Sequence, residues 1–429
     1  MSESVKLRRV ESNALPPRGK MGLDAETLST VGAIVEAVEN GGEREVRRYA
    51  ERFGELQPGD ALVRGADELR AARDALTASE RELLERVAQR IRLFATRQRE
   101  TLKDLDVEVE GGRAGHRWSP MERAGCYAPG GRFPLPSSVL MTAVTARVAG
   151  VDEVWVVSPK PTEVTLAAAA VAGANGLIPV GGAHAIAALA FGVAGIPKVD
   201  VIVGPGSRWV AAAKKLVSGQ VAIDMIAGPS ELVVLADDTA DPATVAADLL
   251  AQAEHDDDAI PLLVTTSAPL ADAVDAELSS QLSELPTAAT ARVAVTNGFS
   301  VVVADIEAGI AVCDQLAPEH LQVMCRNAPE VGRELRHYGG LFVGDRAAEV
   351  FGDYGAGPNH VLPTGGTARL TGGLSVVDFM RLRTWLEIGE DSERVADDAA
   401  QLARLEGLEG HARAAERRYP NSRGDGHSS

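Results

Sequence analysis

The sequence VDEVWVVSPKPTEVTLAAAAVAGANGLIPVGGAHAIAALAFGVAGIPKVDVIVGPGSRWVAAAKKLV, residues 151–217, decides the fold class. Short runs of β-branched residues alternate here with Ala-rich segments. The runs predict strands at 153–158, 176–180 and 199–203, and the Ala-rich segments predict helices at 161–173, 182–192 and 207–217. Repeated strand–turn–helix units are typical of a parallel sheet with helices on both faces. In such sheets ligands bind beyond the carboxyl ends of the strands.

The regions on either side extend this α/β pattern. A second alternating region runs from about 222 to 374, with predicted strands at 231–236, 260–265, 300–304 and 341–343 and a helix at 242–255. Residues 24–105 have helical periodicity, and 106–123 predict a hairpin around two glycines. Residues 375–418 are charged and predict a separate helical element.

Composition restricts the class of protein. The 429 residues carry a formal charge of −18, and 45% are apolar, as in ordinary globular proteins. The acidic balance argues against a nucleic-acid or anionic-membrane partner. The N-terminus has no apolar signal-peptide core, and the three cysteines match no zinc-binding pattern. We therefore expect a soluble, cytoplasmic protein that acts on a small molecule.

Two glycine-rich turns connect predicted strands to predicted helices. They are 180–184 (VGGAH) and 204–207 (GPGS). Backbone N–H groups at the start of a helix can hold a phosphate or pyrophosphate. Turns of this kind are equally common as plain tight connections, so both interpretations stay open here.

Four of the eight histidines lie beside acidic or amide side chains. Gln252 and His255 are three residues apart and can converge on one ligand, although a histidine also stabilises a helix C-terminus. Glu319 and His320 follow a proline at a predicted helix start, where they point in different directions and can serve two separate steps.

Two further histidines lie in unusual surroundings. The polar, glycine-rich stretch 351–364 contains Asp353 and His360, and loops of this kind often carry function. Glu406 and His411 lie far along the chain in the C-terminal element, where a solvated helix end is the alternative. These side chains could together bind a zinc ion through mixed nitrogen and oxygen ligands.

Taken together, these segments closely resemble the histidinol dehydrogenase family over roughly residues 25–415. The matching motifs are 127–131 (YAPGG), 139–143, 181–192, 224–231 (DMIAGPSE), 252–255, 318–321, 352–364 and 406–411. The resemblance implies a zinc-dependent, NAD-linked oxidation of L-histidinol to L-histidine through L-histidinal, the last steps of histidine biosynthesis. Two alternatives are a paralogue that oxidises another small alcohol and a non-catalytic binding protein on the same scaffold.

The resemblance also implies a role for each candidate residue. The zinc ligands, for one ion per subunit, would be Gln252, His255, Asp353 and His411. The general base would be His320, and Glu319 would activate water in the second step. Substrate would contact Ser230, Gln252, His255, His320, Asp353, Glu406 and His411, with His360 in support. NAD would contact Tyr127, His184 and Ser207.

The fold implied by the resemblance has two incomplete, doubly wound Rossmann-like domains. The zinc and substrate side would comprise 21–126 with 232–374, and the NAD side 127–231. An N-terminal arm (1–20) and a small helical C-terminal domain (375–429) complete the chain. The resemblance implies an intertwined homodimer, in which Glu406 and His411 complete the site of the other subunit.

Two positions depart from the family's pattern. The family usually has Gln where this chain has His184, and Asn where it has Ser207. Both side chains can still donate a hydrogen bond, but with different reach. The choice between NAD and NADP therefore stays open from the sequence.

Overall fold

The computed structural model describes residues 5–17, 23–130, 134–193 and 195–419. Parts of the predicted N-terminal arm, Gly131 of the YAPGG motif and the tail from residue 420 lie outside the described residues. The chain divides into two compact units. The first is Met1–Arg99 with Met121–Phe379, and the second is Glu100–Pro120 with Met380–Ser429.

The secondary structure alternates strands and helices along most of the chain. The strands are β1 Arg8–Arg9, β2 Arg64–Gly65, β3 Leu105–Val109, β4 Gly112–Pro120, β5 Arg123–Tyr127, β6 Glu153–Val157, β7 Gly176–Ile178, β8 Val201–Val203, β9 Ala222–Ile223, β10 Glu231–Ala236, β11 Ile260–Thr265, β12 Phe299–Val302, β13 His320–Met324, β14 Gly340–Val343 and β15 Met380–Ile388. The helices are α1 Ala25–Gly41, α2 Glu43–Arg52, α3 Ala66–Ala75, α4 Ala78–Glu100, α5 Pro136–Ala149, α6 Glu163–Ala172, α7 Gly182–Phe191, α8 Arg208–Val217, α9 Pro242–Ala253, α10 Ala268–Gln281, α11 Ala288–Asn297, α12 Ile306–Leu316, α13 Ala328–Glu334, α14 Glu349–Asp353, α15 Glu393–Leu405 and α16 Glu409–Glu416. Among the described residues, every helix is too short or too polar to cross a membrane.

Two six-stranded sheets form the first unit. Sheet 1 has the order β2-β7-β6-β5-β8-β9, in which β2 pairs antiparallel and the other pairs are parallel. Sheet 2 has the order β1-β12-β11-β10-β13-β14, with parallel pairing throughout. Numbered along the chain, β5–β9 and β10–β14 both follow the order 3-2-1-4-5. This is the Rossmann order 3-2-1-4-5-6 without its last strand, so the predicted α/β class with Rossmann-like parallel sheets is confirmed.

The hydrophobic pattern explains these sheets. All six residues of Glu231–Ala236 are buried, as expected for a parallel strand that is covered on both faces. Helices cover the two faces of sheet 2 as two separate apolar cores. The predicted strands at 231–236 and 260–265 coincide with β10 and β11, and those at 153–158, 176–180 and 199–203 match β6, β7 and β8 with shorter bounds.

The predicted helix start at 317–321 is wrong. Helix α12 ends at Leu316, Ala317 adopts a left-handed conformation, and β13 begins at His320. A residue before proline disfavours the helical region, so Pro318 marks the end of a helix here. The five residues of β13 are all buried, as in a central parallel strand.

The second unit also differs from its prediction. The hairpin expected at 106–123 is confirmed by β3 and β4, but residues 380–388 are a strand and not part of a helical element. β15 pairs with β4 along its whole length and completes sheet 3, with the order β15-β4-β3. Alternating apolar residues in β15 explain the strand. Helices α15 and α16 pack through a small alanine cluster.

The N-terminal helices pack differently from the predicted grouping of 21–126 with 232–374. Helix α1 contacts α7 and α8, and α3 contacts α6, so these helices cover sheet 1. The apolar stripe of α1, Val31, Val35 and Val38, belongs to the same buried core as the alanines of α7. Strand β5 is the central strand of sheet 1. Helix α4 instead contacts the segment around Gly355, whose carbonyl accepts a hydrogen bond from Arg90 Nε at 2.8 Å.

Candidate active site

A cavity in the first unit lies where the two large sheets present opposite edges. Sheet 1 contributes the turn that follows β8 at its carboxyl edge, and sheet 2 contributes the amino ends of β10 and β13. The cavity has a volume of about 180 Å³. Residues that line it include Gly204, Pro205, Gly206, Met225, Gly228, Ser230, His255, Glu319, His320, Asp353, His360 and Thr364.

His320 is a buried histidine whose protonation pattern is set by the backbone. Its Nδ1 lies 3.1 Å from the carbonyl oxygen of Glu231. A carbonyl only accepts, so Nδ1 carries the proton and Nε2 presents a lone pair. That Nε2 has no hydrogen-bond partner among the described residues and lies 3.8 Å from Asp353 Oδ1. Burial lowers the pKa of His320 to about 3, so the ring is neutral near pH 7 and its Nε2 carries a lone pair.

Glu319 is a buried carboxyl group beside this histidine. Its Oε2 accepts hydrogen bonds from the Ser230 hydroxyl at 2.6 Å and from the Glu231 N–H at 2.9 Å. The same Oε2 lies 3.6 Å from His320 Nδ1. Burial raises the pKa of Glu319 well above its usual range. A raised pKa makes the ionised form of this carboxyl group a stronger base toward water.

Three side chains converge in a way that suits a metal ion. Ligand atoms of His255, Glu349 and Asp353 all lie within 4.8 Å of one another, and His255 Nε2 is 3.5 Å from Asp353 Oδ2. Burial raises the pKa of Asp353 to about 6, and burial together with the negative charges of Asp353 and Glu319 raises that of Glu349 further. A bound cation would relieve this concentration of buried acidic groups.

Gln252 lies on α9, three residues before His255. It is fully buried, and neither atom of its amide has a partner in the described ranges. A buried amide without hydrogen-bond partners costs free energy. A metal ion that binds the amide oxygen would reduce that cost. His255 follows the end of α9, where its N–H donates to the Gln252 carbonyl at 3.4 Å. The nitrogen and oxygen donors of this group fit zinc.

His360 fixes the irregular segment that carries Asp353. Its Nδ1 lies 2.9 Å from the Asp353 carbonyl oxygen, so Nδ1 donates, and the Ser138 hydroxyl lies 3.2 Å from Nε2. Burial lowers the pKa of His360 to about 4, which keeps the ring neutral. The side chain therefore ties helix α5 to the end of α14 at the wall of the cavity.

The Glu231 side chain was missed by sequence reasoning. Its Oε1 accepts hydrogen bonds from the N–H groups of Glu319 at 3.2 Å and Gly365 at 3.0 Å, so it joins three separate segments. An acidic residue at the start of an otherwise apolar predicted strand is a sequence signal that could have identified Glu231. Glu349 and Thr364 were also missed, and Thr364 Oγ1 accepts the Gly228 N–H at 2.5 Å. Thr364 ends the stretch 351–364 that the sequence did single out, whereas the sequence around Glu349 offers no comparable signal.

The three predicted NAD contacts lie at two turns of sheet 1. Tyr127 ends β5, and its buried hydroxyl accepts the Gly182 N–H at 3.1 Å. His184 is 1% exposed, and its Nε2 lies 2.9 Å from Glu55 Oε2. Ser207 is exposed at the N-terminus of α8. The His184 imidazole is therefore buried beneath the first turn of α7, where it contacts Glu55.

Glu406 and His411 lie in the second unit. Glu406 follows the end of α15 and His411 lies on α16, and both are exposed. The cluster of His255, Glu349 and Asp353 is formed without them.

Comparison with known proteins decides the family. The family model for histidinol dehydrogenase matches residues 18–419. The chain belongs to the histidinol dehydrogenase family. A histidinol dehydrogenase of Aquifex aeolicus is 44% identical over 93% of this chain and 94% of its own length, and one of Aromatoleum aromaticum is 43% identical over 92% of each. The crystal structure of histidinol dehydrogenase from Elizabethkingia anophelis has a TM-score of 0.90 and 30% identity, and covers 97% of this chain and 99% of its own.

The histidinol dehydrogenase family oxidises histidinol to histidine in histidine biosynthesis, and the chain is therefore an oxidoreductase. The predicted family is thereby confirmed. An alcohol oxidation requires a group that removes the hydroxyl proton, and the described cavity contains a neutral histidine with a free lone pair.

Proposed function

We propose that this chain is a zinc-dependent, NAD-linked enzyme that converts L-histidinol to L-histidine through L-histidinal. The observation that carries the proposal is the environment of His320. Its Nδ1 proton is held by a backbone carbonyl, and its Nε2 faces the cavity beside Asp353 without another described partner. This arrangement supports a general base next to a metal site.

The proposed zinc ligands are Gln252, His255, Asp353 and His411 of the partner subunit. The orphaned Gln252 amide and the convergence of His255 with Asp353 support the first three. Bound zinc would act as a Lewis acid and orient the substrate. Glu349, also within this group, is a neighbouring acid that the proposed set leaves outside the ligands.

In the first step, His320 takes the proton of the substrate hydroxyl while the carbinol hydride departs. NAD supplies the hydride acceptor when bound. The neutral state of His320 favours this role, because the lone pair on Nε2 is already present before substrate arrives. His360 keeps the Asp353 segment in place through its hydrogen bond to the Asp353 carbonyl.

In the second step, Glu319 would remove a proton from the water that adds to the aldehyde, and the resulting hydrate would lose a second hydride to a second NAD to give the acid. The Ser230 hydroxyl and the Glu231 N–H hold one oxygen of this carboxyl group in place. Because both donors bond to Oε2, the geometry supports Oε1 as the oxygen that meets water. The raised pKa lets Glu319 keep the proton until the product leaves.

We further propose that two copies form a homodimer through sheet 3. On one face of this sheet, cross-strand rows place Val107 beside Ala114 and Leu386, and Val109 beside Gly112 and Ile388. Leu386 is 66% exposed, and the valines and isoleucine of these rows are each about 40% exposed. A contiguous exposed apolar face on a three-stranded sheet is typical of a protein interface. A second copy that covers it would account for the proposed partner ligand His411.

The direct test is NADH formation from limiting L-histidinol with excess NAD, before chelation, after chelation and after zinc is restored. We expect two NADH per L-histidinol, loss of activity on chelation and recovery with zinc. A parallel arm with NADP measures coenzyme choice. Absence of NADH with zinc present would overturn the proposed substrate, and turnover of other small alcohols would then indicate the paralogue.

A further inference from the structure

A buried ion pair lies beneath the turn that connects β8 to α8. Lys214 on α8 and Asp224 after β9 are in direct contact, and both side chains are at most 3% exposed. Burying two charges is unfavourable unless further hydrogen bonds satisfy them. The groups that form these further hydrogen bonds therefore identify the segment that the ion pair fixes in place.

Those partners are the two backbone groups of Gly204. Lys214 Nζ donates to the Gly204 carbonyl at 3.0 Å, and Asp224 Oδ2 accepts the Gly204 N–H at 2.7 Å. Gly204 has a φ of 117°, and a Cβ there would lie 2.0 Å from the Tyr127 carbonyl oxygen. The ion pair thus fixes a glycine that is pressed against the end of the central strand β5.

The same pair also anchors the loop that leads from sheet 1 to sheet 2. Asp224 Oδ1, which contacts Lys214, accepts the Met225 N–H at 2.6 Å. This loop lines the cavity through Met225 and Gly228, and it ends at Ser230, which donates to Glu319. One buried contact therefore sets the start of two segments that form the cavity wall.

The topology gives this position a specific meaning. Gly204 follows β8, and β8 lies beside β5, where the strand order of sheet 1 reverses. Nucleotides bind to such sheets at this point, with phosphate groups against the turn and the N-terminus of the next helix. A turn that is held rigidly before the coenzyme arrives loses little conformational entropy when it binds.

We propose that Lys214 and Asp224 form a positioning pair that pre-organises turn 204–207 for the coenzyme. The inference rests on the NAD-linked function proposed above. Neither side chain is required to touch coenzyme or substrate. Removing the pair should weaken coenzyme binding while zinc binding and L-histidinol binding persist, because the ligands proposed for those lie at sheet 2 and in the second unit of the partner subunit. Ser230, at the far end of the anchored loop, keeps its hydrogen bond to Glu319.

The experiment compares NAD dissociation constants, measured by calorimetry on the zinc-loaded enzyme, for wild type, Lys214→Met, Asp224→Asn and the double variant. We expect each single variant to raise the dissociation constant about tenfold or more, an effect typical of a displaced positioning element. The double variant should lose little more than either single variant, because both remove the same contact. Zinc content and L-histidinol affinity should stay within about twofold of wild type.

The matched control is Lys215→Met, which removes an exposed lysine from the adjacent position of the same helix and should leave NAD affinity unchanged. Unchanged NAD affinity in folded Lys214→Met would overturn the inference, and so would equal weakening of NAD and L-histidinol. Wild-type enzyme that binds no NAD would instead overturn the proposed function.

A second measurement covers variants that fail to fold. In wild-type enzyme without coenzyme, hydrogen exchange should show the amides of Gly204 and Met225 already protected. Rapid exchange of these amides that becomes slow only with NAD would contradict a pre-organised turn. This measurement uses no variant and no turnover.

Discussion

At the scale of single residues, backbone groups decide the chemistry of the site. His320 and His360 each direct Nδ1 at a carbonyl oxygen, so both rings have the same protonated nitrogen. Their Nε2 atoms differ, since that of His360 lies 3.2 Å from the Ser138 hydroxyl, whereas that of His320 has no partner among the residues described. The two similar histidines therefore differ in whether Nε2 is engaged, and His320 is the one proposed as the base.

Replacing His320 by Asn tests this separation. We expect the His320→Asn variant to lose about 10²- to 10⁴-fold in turnover, the usual contribution of a general base. Zinc content, measured by atomic absorption, should equal that of wild type. The control is His337→Asn, which alters a histidine outside the cavity lining. Wild-type turnover in His320→Asn would rule out the proposed base.

Replacing Glu319 by Gln separates the two oxidation steps. The amide oxygen of Gln can still accept from Ser230 and Glu231, but it cannot remove a proton from water. Oxidation of supplied L-histidinal should therefore slow more than the first oxidation of L-histidinol. Single-turnover NADH formation from each compound measures the two rates. Equal slowing of both would contradict a role confined to the second step.

The sequence identified the candidate site residues themselves better than the side chains that surround them in space. Gln252, His255, Asp353, Glu319 and His320 were all expected at one site. The structure joins the last four in one series of contacts of 3.5 to 3.8 Å. Glu231 and Glu349 were not expected, because their importance depends on which strand and helix ends meet in space. Periodicity along one segment carries no information about such meetings.

At the scale of elements, α9 shows how a helix delivers ligands to the site. Pro242 occupies its first turn, and Asp241 caps it by accepting the Thr244 N–H at 3.0 Å. Its opposite end carries Gln252, with His255 just beyond. Secure capping at one end therefore supports ligand placement at the other.

The cap yields a pH-dependent prediction. Hydrogen bonds from the Thr244 side chain and N–H lower the pKa of Asp241 below its ordinary value of 3.8. A carboxyl with a lowered pKa contributes stability above its unfolded pKa and loses that contribution as pH falls through the folded value. Asp241→Ala should thus lower the free energy of unfolding by about 1 kcal/mol at pH 7. The difference should shrink toward pH 3.

Urea unfolding of wild type and Asp241→Ala at both pH values measures this effect. Asp258→Ala, which removes an exposed carboxylate beyond the end of α9, is the control and should change stability by less than about 0.5 kcal/mol. An Asp241→Ala effect of equal size at pH 7 and pH 3 would exclude the charged cap as its cause.

Two elements escaped prediction for identifiable reasons. β13 follows Pro318, and a proline before an apolar run is compatible with either a helix start or a chain that leaves a helix. The pairing of β13 with β10 and β14 decides between these, and it is non-local. β15 lies in a charged region that is otherwise helical, and its partner β4 is more than 250 residues away in the chain.

At the scale of the whole molecule, the two large sheets repeat one topology but use it differently. In sheet 1 the carboxyl ends of β5 and β8 open onto the cavity. The equivalent position in sheet 2 is tied by Asp237, which accepts N–H groups of Thr239 and Arg326 at 2.9 Å each. The expected ligand edge is thus confirmed as a cavity edge in sheet 1, whereas sheet 2 presents its other edge.

The proposed shared site yields a prediction for mixed subunits. His255→Asn and His411→Asn should each be inactive alone, because each lacks one proposed zinc ligand. After mixing and refolding, half of the dimers should combine the two variants and carry one intact site, so activity should recover to about a quarter of wild type. Dimer formation is checked by light scattering. Complete inactivity of verified mixed dimers would contradict a site shared between subunits.

Sheet 1 borders the cavity with its carboxyl edge and sheet 2 with its amino edge. The two walls therefore have electrostatic potentials of opposite sign. On the sheet 1 wall, α5 and α8 begin at the cavity, which Ser137 and Gly206 line, so the positive ends of their backbone dipoles make that side electropositive. On the sheet 2 wall, α9 and α12 end near His255 and Glu319, so their carbonyl oxygens make it electronegative. The helix dipoles alone therefore favour different ligand charges on the two walls. Anionic phosphates are favoured on one wall and a cation on the other, and exchanging them would oppose the field of four helices.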